Sequence, residues 1–193
     1  MNPGENNLYI VDGFPIPICH FARAKKGKLF KREAGYGRCP SKEQVYFRFK
    51  GSSFDHSNGL TTSFLLTPAN IEVHSKGLTR GFKELIIGDK GFISQSLKDR
   101  LKFRGIDLQT PLKKNMKNTR DSKFVVKIKS IRRLVETVIG QFNDRLNIAR
   151  IRVKDTWHLV ACLSRKTLTH TIGVFLNKQL NRPFIKFDDL LTI

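Results

Sequence analysis

Acidic residues are scarce in this sequence. Its 193 residues hold 16 Asp+Glu against 36 Lys+Arg, a formal charge of +20 with a pI near 10.3. An excess of about one positive charge per ten residues opposes compaction unless a polyanion is near, and for a basic domain the usual polyanion is nucleic acid. Cysteine is sparse too: Cys19, Cys39 and Cys162 are an odd set that builds no disulfide framework and reads as reduced thiols. No CxxC or HxxxH pair accompanies Cys19, His20, Cys39, His56 or His74, so the spacing points away from zinc. Long apolar runs are missing as well. The longest, 158–163 and 172–176, fall far short of a bilayer span. Residues 1–24, interrupted by Asp12, Pro15 and Pro17, make a poor secretory signal. With no membrane segment and no leader, the expected location is the cytoplasm. Neither GxGxxG nor GxxxxGK occurs, which argues against a nucleotide-binding loop.

Enough apolar material remains, at 39% of residues, for one sizeable core. Patterning divides the chain into a strand-rich first part and a helical last part. Residues 7–12 (NLYIVD) read as a short buried strand ending on a carboxylate, and 13–41 as an irregular basic loop. Residues 44–50 and 60–66 alternate like half-buried strands joined by a turn at 56–59. Thr67-Pro68-Ala69-Asn70 carries a capping residue before proline and reads as a helix opening. Residues 84–89 (ELIIGD) repeat the opening pattern of an apolar run closed by aspartate, followed by an amphipathic helix at 94–103 and a strand at 106–110. Residues 113–129 are basic and mostly aperiodic, which predicts a loop. From Ile128 the period is helical, through Ile131, Val135, Val138 and Phe142, with Glu136 projecting about 120° from that stripe. A last helix spans 157–180, with Leu159, Leu163, Ile172 and Leu176 on its apolar face and the lone Trp157 as a core anchor.

Two strands that each end in aspartate, and a helix with a glutamate at its edge, can bring Asp12, Asp89 and Glu136 together. Clustered carboxylates repel, and hard divalent cations hold them; Mg²⁺ prefers one or two carboxylates with waters and phosphate oxygens. Two such ions activate a nucleophile and stabilise the leaving oxygen of an in-line phosphoryl displacement. The same residues also read as turn formers and a solvated helix charge, and pattern alone leaves both readings open.

IVDGFPIPICHFARA, YGRCPSK, LTPAN, IIGDKGFIS, TPLKKNMK and RRLVETVIGQFNDRLNIARIRVK occur in that order, with LTHTIGVFLN near the end. Together they resemble the catalytic domain of DDE-type insertion-sequence transposases, most closely the insertion sequence 982 family. The resemblance implies an α/β, RNase H-like (retroviral integrase-like) fold, a mixed five-stranded sheet flanked by helices, in one domain over 1–193. It implies that Asp12, Asp89 and Glu136 are the catalytic acids and hold two Mg²⁺ (or Mn²⁺). The implied partner is double-stranded DNA, as transposon terminal inverted repeats and target DNA, with a homo-oligomer in the active complex. The related pattern Tyr-x2-Arg-x3-Glu-x6-Lys is matched by Arg132 and Glu136 but departs at Lys129 and Asn143, where Arg145 or Arg150 is the candidate replacement charge. Lys90, Lys113, Lys114, Lys129, Arg132 and Arg133 are the expected DNA contacts, and the basic runs 25–32 and 113–120 would flank the acids. Such transposases carry a helical end-recognising segment upstream, and its expected absence here fits a truncated copy. The alternatives are a catalytically incompetent DNA-binding remnant and a stand-alone RNase H-like nuclease.

Overall fold

Apolar side chains recurring at every second residue from Leu8 and again toward Phe49 build two long neighbouring strands. The computed structural model describes residues 8–20, 30, 33–39, 44–70, 84–112, 120–188 and 190. The strands are β1 (Leu8–His20), β2 (Gly35–Cys39), β3 (Gln44–His56), β4 (Thr61–Pro68), β5 (Glu84–Gly88) and β6 (Ile106–Gln109); the helices are α1 (Gln95–Phe103), α2 (Ser122–Asp144) and α3 (Thr156–Gln179). They form one mixed sheet in the order β2-β3-β1-β5-β6, with β4 also on β3. β1 runs antiparallel to β3 and parallel to β5, which is parallel to β6. Because β1 occupies one edge of β3, β2 and β4 share the other: β2 pairs with 44–48 and β4 with 49–55. Six strands therefore fill five lanes, and the expected five-lane, RNase H-like sheet is present. At the junction of the shared lane, a Cβ on Gly35 would stand 2.1 Å from Asn70 Oδ1, so glycine lets the two strands abut.

Alternation sends apolar residues to both sheet faces. Val11, Phe54, Ile86 and Leu108 point to one face, where Leu97 and Leu101 of α1 cover them. On the other face α2 lies across the sheet. Its Ile128 and Val135 pack on Leu8, Ile10 and Ile87, and its Val138 and Phe142 join Phe14, Ile16, Phe47 and Phe49 with Leu159 and Leu163 of α3. Phe142 is fully buried, 6.4 Å from the Phe14 ring and 4.8 Å from the His170 ring in stacked geometry.

Several elements depart from expectation for identifiable reasons. β1 does not stop at Asp12 but runs to His20 through Pro15 and Pro17. Pairing with β5 ends at Val11, so among the described residues the later half of β1 pairs on one side only, with β3, and a strand in that setting tolerates proline. β2 likewise lies inside the segment expected to be loop. Thr67 and Pro68 finish β4 instead of opening a helix, because they pair with Lys50 and Phe49 in an outer lane that tolerates proline. α2 starts at Ser122, six residues before Ile128, with Phe124 already packed beside Ile128. On α3, Leu159 and Leu163 are buried as expected, but Ile172 and Leu176 are exposed while His170, Val174 and Asn177 take the inner face. Trp157 is no core anchor: it is 79% exposed, since Leu159 is the residue of that first turn aimed at the sheet. Among the described residues, no helix is long and apolar enough to cross a membrane.

Phe142→Ala should destabilise the fold by roughly 3–5 kcal/mol in urea denaturation, the range for emptying a fully buried aromatic site. Val126→Ala, on the exposed side of the same helix, should stay within about 0.5 kcal/mol.

Candidate active site

The last parallel pair between β1 and β5 is Val11 opposite Gly88, an offset of 77 (88 − 11). The offset from Asp12 to Asp89 is also 77 (89 − 12), so the same register brings the two aspartates side by side one step beyond the ladder. Neighbouring strands lie about 4.8 Å apart, which is close for two carboxylates. Asp12 lies within β1 just past the end of its parallel ladder with β5, and Asp89 directly follows β5. Asp89 is held there by a tight turn in which Phe92 N–H donates to its carbonyl at 2.8 Å. Gly88 permits that turn, because a Cβ there would meet the Phe92 Cβ at 2.9 Å.

α2 crosses this end of the sheet. Arg132 and Glu136, one helical turn apart, share a side of it. Arg132 Nη2 donates to Asp89 Oδ1 at 2.8 Å. Both partners are about a third exposed, so water screens the pair and its role is orientation more than stability. Glu136 is exposed, between the buried Val135 and Val138. Asp12 is half-buried, with Gly13 N–H donating to its Oδ1 at 2.7 Å. Burial pushes the Asp12 carboxyl up to about 6; the Gly13 hydrogen bond opposes this, Asp89 and Glu136 add repulsion, and Arg132 offsets part of it. Asp89, Glu136 and Arg132 therefore all lie within electrostatic reach of Asp12.

The donor set is oxygen only, which suits a hard cation such as Mg²⁺ or Mn²⁺ and not zinc. Mg²⁺ needs only one or two protein carboxylates, and the Asp12–Asp89 pair supplies them. Among the described residues, no three His, Cys, Asp or Glu side chains stand close enough together to share one ion. Arg132, bonded to Asp89, is the cation that this arrangement holds among the acids.

The expected DNA contacts are distributed around this point. Lys129 and Arg133 are exposed on α2, on either side of Arg132 in sequence. The Lys90 backbone lies in the turn after Asp89, its side chain lies outside the described atoms, and Lys113 and Lys114 lie outside the described residues. Of the two candidate replacements for the charge missing at Asn143, Arg145 is engaged by Asp188, whereas Arg150 is exposed.

One acid of this region escaped the sequence reading. Asp55 is fully buried on β3, accepting from Thr61 Oγ1 at 2.7 Å and Ser53 Oγ at 2.9 Å. It pairs with Ile10, and Ser53 pairs with Asp12, so Asp55 lies beneath Asp12 on the same sheet face. Burial is the main cause that pushes its carboxyl to about 6; the two hydroxyls pull it down and Asp12 pushes it up. The inward alternation Phe47, Phe49, Gly51, Ser53, Asp55 was the available signal.

The sheet and α2 thus place Asp12 and Asp89 next to each other at the end of the β1–β5 ladder, with Glu136 one helical turn from Arg132 on the helix that crosses it. Residues 3–156 match the family described as Transposase DDE domain, and the chain belongs to that family. The match ends where α3 begins. No curated protein matches the chain.

Asp55 gives the site a pH signature. A carboxyl raised from 3.8 to about 6 in the fold favours its neutral form by roughly 3 kcal/mol. The native state then binds the extra proton, so this contribution is fully present below pH 4 and is lost as pH rises through about 6. Asp55→Asn should therefore raise the unfolding free energy obtained by urea denaturation at pH 7, by up to about 3 kcal/mol, with the gain disappearing near pH 4. An equal gain at both pH values would mean that charge is not its cause.

Proposed function

We propose that this chain is the catalytic part of a DNA transposase, in which Asp12, Asp89 and Glu136 hold two Mg²⁺ (or Mn²⁺) for cleavage at transposon ends and 3′-hydroxyl strand transfer into target DNA. The observation that carries the reading is the parallel register that sets Asp12 beside Asp89 beneath Arg132 and Glu136. Membership in the DDE family supplies the chemical class. When bound, the metal ions would sharpen the attacking oxygen and neutralise charge on the leaving one.

The protein's own residues set the stage for this chemistry. Asp12 is held within β1 and Asp89 by the tight turn that follows β5, so backbone structure and not a long loop positions both carboxylates. Arg132 orients Asp89 and presents further N–H donors suited to a phosphate in bidentate geometry. Lys129 and Arg133 place positive charge along α2, where it attracts the duplex backbone without reading sequence. Exchanging one phosphodiester for another conserves bond energy, so the chain needs no covalent intermediate. The substrates in this reading are terminal inverted repeats and target DNA, brought together by a homo-oligomer.

A cleavage and strand-transfer assay on duplexes carrying the flanking terminal repeats, with Mg²⁺ or Mn²⁺, tests the proposal. Asp12→Asn, Asp89→Asn and Glu136→Gln should each reduce product at least about a thousandfold, equivalent to roughly 4 kcal/mol of transition-state stabilisation. Product that survives Asp89→Asn would overturn the assignment. Tight binding by the unaltered chain with no nicking would identify a DNA-binding remnant, and cutting without strand transfer would identify a nuclease.

A further inference from the structure

After α2 the chain turns through Asn147, in left-handed backbone at φ 49°, makes a short 3-10 turn at Ile148–Arg150, and leaves it extended at Ile151. Here the sequence IARIRVK separates its residues cleanly. Ile148 is fully buried, and Ile151 and Val153 pack half-buried on the core beside Leu159. Arg150, Arg152 and Lys154 are all exposed. Arg150 closes the 3-10 turn and the backbone is extended at Ile151, so Arg152 and Lys154 follow Arg150 along one exposed stretch of chain, alternating with Ile151 and Val153.

Two further observations give the row a ligand and a place. First, none of the three is in an ion pair among the described residues: of the carboxylates nearest in the chain or fold, Asp155 is turned to His158, Glu33 accepts from Thr156, and Asp188 is on Arg145. Three cations left without counter-ions in a chain of +20 repel one another and are relieved by a linear polyanion. Second, Ile151 to Lys154 line a cavity of about 310 Å³ together with Ile16 and Pro17 of β1. Ile16 is four residues beyond Asp12, a distance of about 13 Å along the strand.

We propose that Arg150, Arg152 and Lys154 form a phosphate-binding row that holds one backbone strand of duplex DNA beside β1, the strand that carries Asp12. The proposal rests on the reading of DNA as substrate and adds a site outside the acids and the α2 cations. The row grips backbone and not base edges, so its contribution is the same for every sequence. Its rigidity comes from Ile148, Ile151 and Val153, which anchor alternate residues to the core while the cations stand out.

The test is duplex binding by the full chain, followed by fluorescence anisotropy across a salt series in EDTA, where cleavage plays no part. Replacing Arg150, Arg152 and Lys154 together by Gln should lower the slope of log K against log salt by about 2 to 3, from roughly 0.9 per lost phosphate contact. The loss should be equal on terminal-repeat and random duplexes. The matched control replaces Lys98, Lys102 and Lys178, exposed cations of α1 and α3, by Gln and should change the slope by less than about 1. An unchanged slope in the row variant, an equal change in the control, or a loss confined to one sequence overturns the proposal. Circular dichroism melting checks that both variants fold. The Asp89→Asn chain separates the two readings: if it still cleaves, the acid assignment fails while the row's salt slope stands on its own.

Discussion

Two negative charges set side by side at the end of the β1–β5 ladder are the constraint around which this molecule is arranged. The parallel register of β1 and β5 leaves Asp12 and Asp89 no choice but to be neighbours, and their repulsion, added to burial, raises the Asp12 carboxyl to about 6. Such a pair persists only with a cation beside it. Arg132 occupies that role against Asp89, and α2 delivers it because Ile128 and Val135 of the same helix are packed into the sheet. The core and the site are thus held by one helix: the residues that bury it also set the position of Arg132 and Glu136.

The large positive charge has a corresponding division of labour. A cation inside the acid cluster neutralises the protein's own carboxylates, whereas exposed cations on α2 and in the segment before α3 face outward. The outward set creates an attractive field for a polyanion, and the inner set fixes geometry. Buried acidity at Asp55 completes the picture by placing an additional titratable group beneath Asp12, satisfied by two hydroxyls and not by any cation.

Much of the site was legible in the sequence because its elements are local. An apolar run closed by aspartate occurs twice, and the helical period around Glu136 is regular, so the order of the acids and the placement of β5, α1 and β6 followed directly. What was not legible depended on pairing. Pro15 and Pro17 look like strand breakers until pairing with β5 is seen to stop at Val11, so that among the described residues β1 pairs there with β3 alone. Thr67-Pro68 has the pattern of a helix start, but β3 holds it in a ladder. The first turns of α2 are polar apart from Phe124, Val125 and Val126, too little for a period to show. Asp55 resembles a turn residue because its hydroxyl partner Thr61 lies across a turn, and burial cannot be read from one polar side chain. The second half of α3 is apolar on two sides, so sequence alone could not choose between Ile172 and Val174 for the inner face.

The division of one sheet lane between β2 and β4 has a consequence for the behaviour of the protein in concentrated solution. An unbroken outer strand would offer a long row of unpaired N–H and C=O groups to a neighbouring copy. Here that border consists of a five-residue and an eight-residue strand meeting at Gly35 and Asn70 with Pro68 at the join, and the opposite border is the four-residue β6. Neither border is long enough to template an intermolecular ladder. A neighbouring copy is thereby offered only short, interrupted borders to pair with.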